Sequence, residues 1–160
     1  MERVNRILSN PVFLDNLRKN EGAEEGRIFC HHNMEHFLDV ARIAMLLNLQ
    51  EGLGIAQDTV YGAALLHDIG RHEQYGAGTP HEVASARIAL EILADCGYSR
   101  EEAGEIAEAI AQHRDSCAAG KADLAGILYR ADKASRACFC CKAQGQCNWS
   151  AERKNLELRW

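Results

Sequence analysis

The sequence predicts an all-α fold, a single-domain helical bundle of about six or seven helices spanning residues 1–160, and three observations carry that prediction. Among the 160 residues are 24 alanines and only two prolines, with 6 % aromatic residues. Alanine is the best helix former, proline breaks helix interiors, and strands favour the aromatic residues that are scarce here. Apolar residues also recur at the i, i+3, i+4, i+7 spacing of a helix face over several stretches. Finally, two Ser/Thr-x-x-Glu patterns stand where helices should begin; the hydroxyl bonds a free backbone N–H while the Glu reaches back to the cap residue.

Taken in order, residues 1–24 predict one or two helices, with Asn10-Pro11 as the restart, because proline suits the first helical position. Val40, Ile43, Ala44 and Leu47 predict a helix over about 32–50, and Val60, Ala63 and Ala64 another over about 57–67. Residues 68–79, with Gly70, Gly76 and Gly78, read as a loop. Thr79-Pro80-His81-Glu82 is the first capping box, Gly97 the stop, and Val83, Ala86, Leu90 and Leu93 the expected apolar stripe between them. Ser99-Arg100-Glu101-Glu102 opens the next helix, which runs through Ile106 and Ile110 to about 114. Leu124, Ile127, Leu128 and Ala131 mark a sixth. The segment from 138 onward is irregular, and the tail after Asn148, with Trp149 and Trp160, is expected to pack back as a short helix. No internal repeat or linker interrupts the chain.

Composition bounds the function. With 47 % hydrophobic and 26 % charged residues the chain is not disordered. Residues 1–126 hold 11 basic and 20 acidic side chains, and 127–160 hold seven and three, within a net charge of −5. An acidic protein of this kind is not expected to bind polynucleotide. The basic C-terminal region either faces a small phosphorylated substrate or is a solvated tail. No stretch approaches the roughly 20 apolar residues that span a bilayer, so no membrane partner is expected. The opening MERVNRILSN lacks the apolar run of a signal peptide, and a cytoplasmic location is expected. Seven cysteines, an odd number, then point to thiols or metal ligands over a disulfide framework.

Polar residues interrupt the apolar faces. His36 lies four residues before Val40, and His67 follows Ala63 and Ala64 on their face, with Asp68 next in sequence. His113 is three residues after Ile110, Asp132 four after Leu128, and His81 begins a helix beside the 68–79 loop. Burying an isolated carboxylate costs several kcal/mol or more in order of magnitude unless it is paired or bound to a metal. Each residue alone has a plain structural role: a hydrogen-bonded core histidine, an Asp132–Arg136 ion pair, an Asp68 helix cap. Together, four histidines and two aspartates supply the imidazoles and carboxylates of a transition-metal centre, and six ligands suit two metals better than one.

In this ordered pattern the sequence resembles the HD-domain superfamily of metal-dependent phosphohydrolases. The matching residues are His36 in His36-Phe37-Leu38-Asp39-Val40-Ala41, the His67-Asp68 pair in Leu65-Leu66-His67-Asp68-Ile69-Gly70, and Asp132 in Tyr129-Arg130-Ala131-Asp132-Lys133. His81 and His113 match the two histidines that the two-metal branch adds. That branch includes bacterial enzymes hydrolysing dinucleoside polyphosphates. The resemblance covers about residues 30–137, the expected catalytic core, and leaves 138–160 as a cysteine-rich C-terminal segment. The Gly-Tyr-Pro signature of the cyclic-dinucleotide phosphodiesterase branch is absent, and 13 residues between His67 and His81 make a short loop.

The resemblance implies one or two divalent transition-metal ions (Fe, Mn, Ni, Co or Zn). His36, His67, Asp68 and Asp132 would hold the first, and His81, His113 and a bridging Asp68 the second, to activate water against a small phosphorylated substrate, most plausibly a nucleotide. Arg71, Lys133 and Arg136 join Asp68 as the expected catalytic set, each either contacting phosphate or forming a structural ion pair. His32, one turn before His36, is either a further ligand or supporting group, or a surface or capping residue; His72 and Glu73 are possible proton donors or solvated loop residues. Cys138, Cys140, Cys141 and Cys147 form C-x-C-C-x5-C, which could bind zinc or an iron–sulfur cluster or simply be small apolar residues. Cys30, Cys96 and Cys117 read as structural. Two other functions compete with hydrolysis: a mixed-valent di-iron oxygenase using the same six-ligand pattern, and a non-catalytic metal or redox sensor.

Overall fold

Asn10 ends one helix and begins the next. Its backbone is extended, and its side chain accepts hydrogen bonds from the amides of Val12 (2.8 Å) and Phe13 (3.2 Å), with Pro11 at the first helical position. This restart separates α1 (Glu2–Ser9) from α2 (Pro11–Ala23) in the computed structural model, which describes residues 1–158. There follow α3 (Met34–Gln50), α4 (Gln57–Leu66), α5 (Arg71–Gly76), α6 (His81–Asp95), α7 (Arg100–Gln112) and α8 (Leu124–Ala134). Among the described residues the chain is all-α, with short 3-10 turns at Ser116–Gly120, Cys138–Cys140, Gln144–Gln146 and Ala151–Arg153 and no strand. No described helix is long and apolar enough to cross a membrane.

Asn33, Ser99 and Asp123 cap α3, α7 and α8 through their side chains, and Ser99 with Glu102 completes the expected reciprocal box. Gly97, at φ 85°, stops α6 in the left-handed region that a side chain disfavours. α3 packs on α4 and α8, α6 on α7, and α7 on α8. Their facing residues, among them Phe37, Leu65, Leu66, Ile92, Ile106, Ile110, Ile127 and Leu128, are fully buried. Each such side chain contributes roughly 1.5–3 kcal/mol of burial energy. Arg3 fastens α1 to this core: its guanidinium reaches Asp58 of α4 at 2.6 Å and Glu102 of α7 at 2.8 Å, and lies over the Tyr98 ring.

Three expectations are corrected. The 68–79 segment is not all loop, because α5 forms within it, its start anchored where Asn20 Oδ1 accepts the His72 amide at 2.8 Å. The Thr79 box does not form. The Gln74 side chain takes the first amide of α6, from His81 at 3.3 Å, and no side chain of the Thr79 turn caps the helix. The stripe of α6 is also rotated: Leu93 is buried and Ala86 packs on the core as expected, but Val83 and Leu90 are 56 % and 45 % exposed, and His81, Ser85, Ile88, Ala89 and Ile92 face inward. One hydrogen bond holds this face to the turn, Ser85 Oγ accepting the Gly70 amide at 2.9 Å, and it leaves His81 3.0 Å from Asp68.

After α8 the chain folds back over the end of that helix. Asn155 Nδ2 lies 2.7–3.2 Å from the carbonyls of Lys133, Ala134 and Arg136, satisfying groups that a helix terminus leaves free. The expected tail helix is reduced to the 3-10 turn Ala151–Arg153, and Trp160 lies outside the described residues.

Candidate metal centre

Helix ends converge on one point. His36 sits in the first turn of α3, where Asn33 accepts its amide at 3.1 Å. His67 is the C-cap of α4, His81 the first residue of α6, and His113 the C-cap of α7, while Asp132 lies in the last turn of α8. Asp68 follows α4 directly. The turn that presents it is held from two sides. Asn20 Nδ2 donates to the Asp68 carbonyl at 2.9 Å, and Gly70 packs so tightly on α6 that a Cβ there would lie 2.7 Å from the Ser85 nitrogen.

The structure thus gathers all six residues expected from the sequence, and it sorts them into two overlapping sets. One is His36, His67, Asp68 and Asp132; the other is Asp68, His81 and His113; within each set the donor atoms lie within 4.8 Å of one another. Asp68 serves both through different oxygens. Oδ2 faces His67 Nε2 (3.3 Å) and His36 Nε2 (3.8 Å), whereas Oδ1 faces His81 Nε2 (3.0 Å) and His113 Nε2 (3.5 Å). Asp132 Oδ1 closes the first set at 3.6 Å from His36 and 3.9 Å from His67.

The histidine tautomers follow from their outer contacts. Carbonyl oxygens accept only, so the Nδ1 atoms of His67 and His113, at 2.7 Å from the Ala64 carbonyl and 2.6 Å from that of Ile110, carry the proton. Gln74 Oε1, at 2.5 Å, does the same for His81. Ser135 spends its hydroxyl proton on the Asp132 carbonyl, so it accepts from His36 Nδ1 at 3.3 Å. Every Nε2 lone pair is therefore turned inward. His36 Nε2, His67 Nε2 and Asp68 Oδ1 are buried without a hydrogen-bond partner, an arrangement that is costly unless something else binds them. Neutral imidazoles plus two carboxylates, with orphaned lone pairs converging, fit a divalent transition metal.

Electrostatics keeps both carboxylates and two of the imidazoles in ligand form. Burial pushes the Asp68 carboxyl up, but His67, His32 and the other imidazoles outweigh it and hold it well below the carboxylate range. Burial likewise opposes Asp132, which Arg136 and Lys133 depress further still. Burial lowers His36 and His81, leaving both neutral; for His81 the Arg71 guanidinium, 3.0 Å from its ring nitrogens, adds to the effect. His67 goes the other way, since Asp68 and Asp132 overcome its burial.

A cavity of about 520 Å³ opens onto Asp68, His81, His113 and Asp132. Arg71, Lys133 and Arg136 line it, joined by Arg27 and Arg114, so five basic side chains face two carboxylates. Arg136 is committed to Asp132 at 3.0 Å and is stacked on Trp149, with 5.0 Å from its guanidinium carbon to the ring centroid; Lys133 Nζ also pairs with Asp132. Arg27 lies over Phe29, 5.8 Å from the ring centroid. Arg27, Phe29, Arg114 and Trp149 were not expected from the sequence; the one available signal was the positive charge of the C-terminal region, which cannot say where the tail folds.

Other expectations separate here. His32 is buried and lines the cavity, its Nε2 3.6 Å from Asp68 Oδ2. Its partner, the buried Glu24, is a residue sequence reasoning missed. Burial pushes the Glu24 carboxyl up, but hydrogen bonds from His32 and Tyr75 hold it at about 2. His72 and Glu73 are drawn off elsewhere, His72 to Asn20 and Glu73 to Arg87 at 2.5 Å. Among the described residues the C-terminal cysteines form no compact donor group. Among the described residues no three donors that include Cys138, Cys140, Cys141 or Cys147 lie within 4.8 Å of one another, because the 3-10 turn Cys138–Cys140 splays successive side chains apart. Cys138 is buried, Cys140 exposed, and Cys147 lines the cavity with Cys30; Cys96 is buried and Cys117 exposed.

The model of the HD domain matches residues 33–137, which hold all six clustered residues. The chain belongs to the HD-domain family. This HD-domain chain is 46 % identical over 158 residues to an uncharacterized protein of Clostridium beijerinckii, covering 99 % of both chains. Its fold is similar to the 1.45 Å crystal structure of a predicted HD superfamily hydrolase from an uncultured Thermotogales bacterium, with a TM-score of 0.63 and 22 % identity, covering 89 % of this chain and 81 % of that one. Arg27, Phe29, His32 and Trp149 line the cavity from outside the matched segment.

Proposed function

We propose that the protein is a metal-dependent phosphohydrolase acting on a small phosphorylated molecule, most simply a nucleotide. The observation that carries this reading is the division of one buried carboxylate, Asp68, between two His-rich donor sets at the floor of a cavity walled by five basic side chains. In this reading His36, His67, Asp68 and Asp132 hold one divalent ion, and Asp68, His81 and His113 a second. When bound, such ions supply Lewis acidity, polarising a phosphoryl oxygen and acidifying water.

The chain's own residues do the rest. Arg136 and Lys133 hold the Asp132 carboxylate ionised and oriented. Arg71, 4.0 Å from Asp68 Oδ1 and open to the cavity, is placed to bind phosphate oxygens, with Arg27 and Arg114 further out. Phe29 and Trp149 offer aromatic faces beside these cations, which supports a substrate pairing phosphate with a planar base. The family name carried by the Thermotogales relative, a hydrolase, agrees with this reading. The experiment is phosphate release from a panel of nucleotides and simple phosphoesters by protein loaded with Mn, Fe, Co, Ni or Zn, beside D68A and D132A. Turnover in the wild type and loss of both metal and turnover in the variants is expected. Undiminished turnover in D68A and D132A, or O₂ consumption in place of phosphate release, overturns the reading.

A further inference from the structure

We infer that His32 is a further metal-directed donor of this centre, prepared for that role by the buried carboxylate of Glu24; the inference rests on the metal-centre reading above. Three features support it. The first is the tautomer. Glu24 Oε1 lies 2.5 Å from His32 Nδ1, and a carboxylate that also accepts the His32 amide at 2.7 Å and the Tyr75 hydroxyl at 2.7 Å accepts here too. His32 Nδ1 therefore carries the proton and Nε2 presents its lone pair, the same device found at His36, His67, His81 and His113.

The second is position. His32 Nε2 lies 3.6 Å from Asp68 Oδ2, the oxygen that also faces His36 and His67. His32 lines the cavity, which His36 and His67 do not, so it stands on the open side of that donor set. It belongs to neither mutual set and replaces no member of either. The third is cost. Glu24 is only 1 % exposed, and sinking an ionised carboxylate costs several kcal/mol in order of magnitude. A backbone carbonyl is enough to fix the tautomer of a buried histidine, as it does at His67 and His113. A carboxylate partner does more: it makes the opposite nitrogen a stronger base and a better metal ligand.

The test is Co(II) binding by full-length wild type, H32A and E24Q, read as affinity against a competing chelator and as the visible absorption spectrum, with circular dichroism to confirm folding. About a 10–100-fold loss of affinity is expected in E24Q and at least that in H32A, with altered absorption bands in H32A. Should H32A fail to fold, E24Q, which keeps the imidazole, decides through affinity alone. Wild-type affinity and an unchanged spectrum in the variants overturn the inference while leaving the six-residue centre intact. A wild type that binds no Co(II) overturns the centre and the inference together.

Discussion

Replacing Gly70 with Ala adds one methyl group where the turn carrying His67 and Asp68 meets α6. The new Cβ would stand 2.7 Å from the Ser85 nitrogen and 2.8 Å from the Ala84 carbonyl carbon and Cβ. Two of these three are backbone atoms, so no rotamer change relieves them. Moving from 2.7 Å to the 3.4 Å of ordinary contact requires α6 to retreat by about 0.7 Å. That strains the Gly70–Ser85 hydrogen bond and draws His81 away from Asp68. Overpacking of this kind costs about 1–3 kcal/mol. With a urea dependence of roughly 2 kcal/mol per M, the unfolding midpoint of metal-free G70A should fall by about 0.5–1.5 M. Gly104, exposed in α7 with nothing near its would-be Cβ, is the control: G104A should raise the midpoint, since alanine stabilises a helix interior by about 0.5–1 kcal/mol over glycine. The same chemical change is thus expected to act with opposite signs. A G70A midpoint equal to or above the wild type would refute the close-packing argument.

Further outcomes follow from the same contacts. W149A should raise KM for nucleoside phosphates by between about 5- and 150-fold, the worth of about 1–3 kcal/mol of base stacking, and leave KM for simple phosphoesters within about twofold; equal effects on both would assign Trp149 to holding Arg136 alone. R3A should destabilise by about 1 kcal/mol in urea melts near neutrality, the upper end for pairs this exposed. The pH dependence has a definite sign. The Arg3 hydrogen bond leads in holding Glu102 at about 2 against an ordinary 4.5, so the stabilisation is complete above 4.5 and disappears as pH falls through about 2. The gap between wild type and R3A should narrow over that window, and a constant gap would contradict the pairing. Thiol titration should count the same number of reactive cysteines with and without chelator, because among the described residues no three donors that include a C-terminal thiol lie within 4.8 Å of one another; thiols released only by chelation would contradict this.

Much of the architecture was readable because it is local. Asn10-Pro11, the Ser99–Glu102 box and the Gly97 stop each act within one turn of chain, and each forms as expected. The six centre residues were readable for another reason: an Asp or His at an inward helical position is a conflict with the core that only a shared partner resolves. What was hidden depends on contacts distant in sequence. Thr79 loses its capping role to Gln74. α6 is held to the Gly70 turn through Ser85, and Val83 and Leu90 point to solvent. Glu24 and His32 are eight residues apart with no helix joining them, and nothing periodic links them. Trp149 reaches the cavity because Asn155 ties the tail to α8, an attachment no local pattern announces.

The most direct test is a crystal structure of the purified protein with anomalous diffraction recorded across metal absorption edges. Two peaks are predicted, one enclosed by His36, His67, Asp68 and Asp132 and one by Asp68, His81 and His113, with the Asp68 carboxylate between them. Density without anomalous signal at either position, in protein grown and purified with transition metals supplied, would contradict the account at its base.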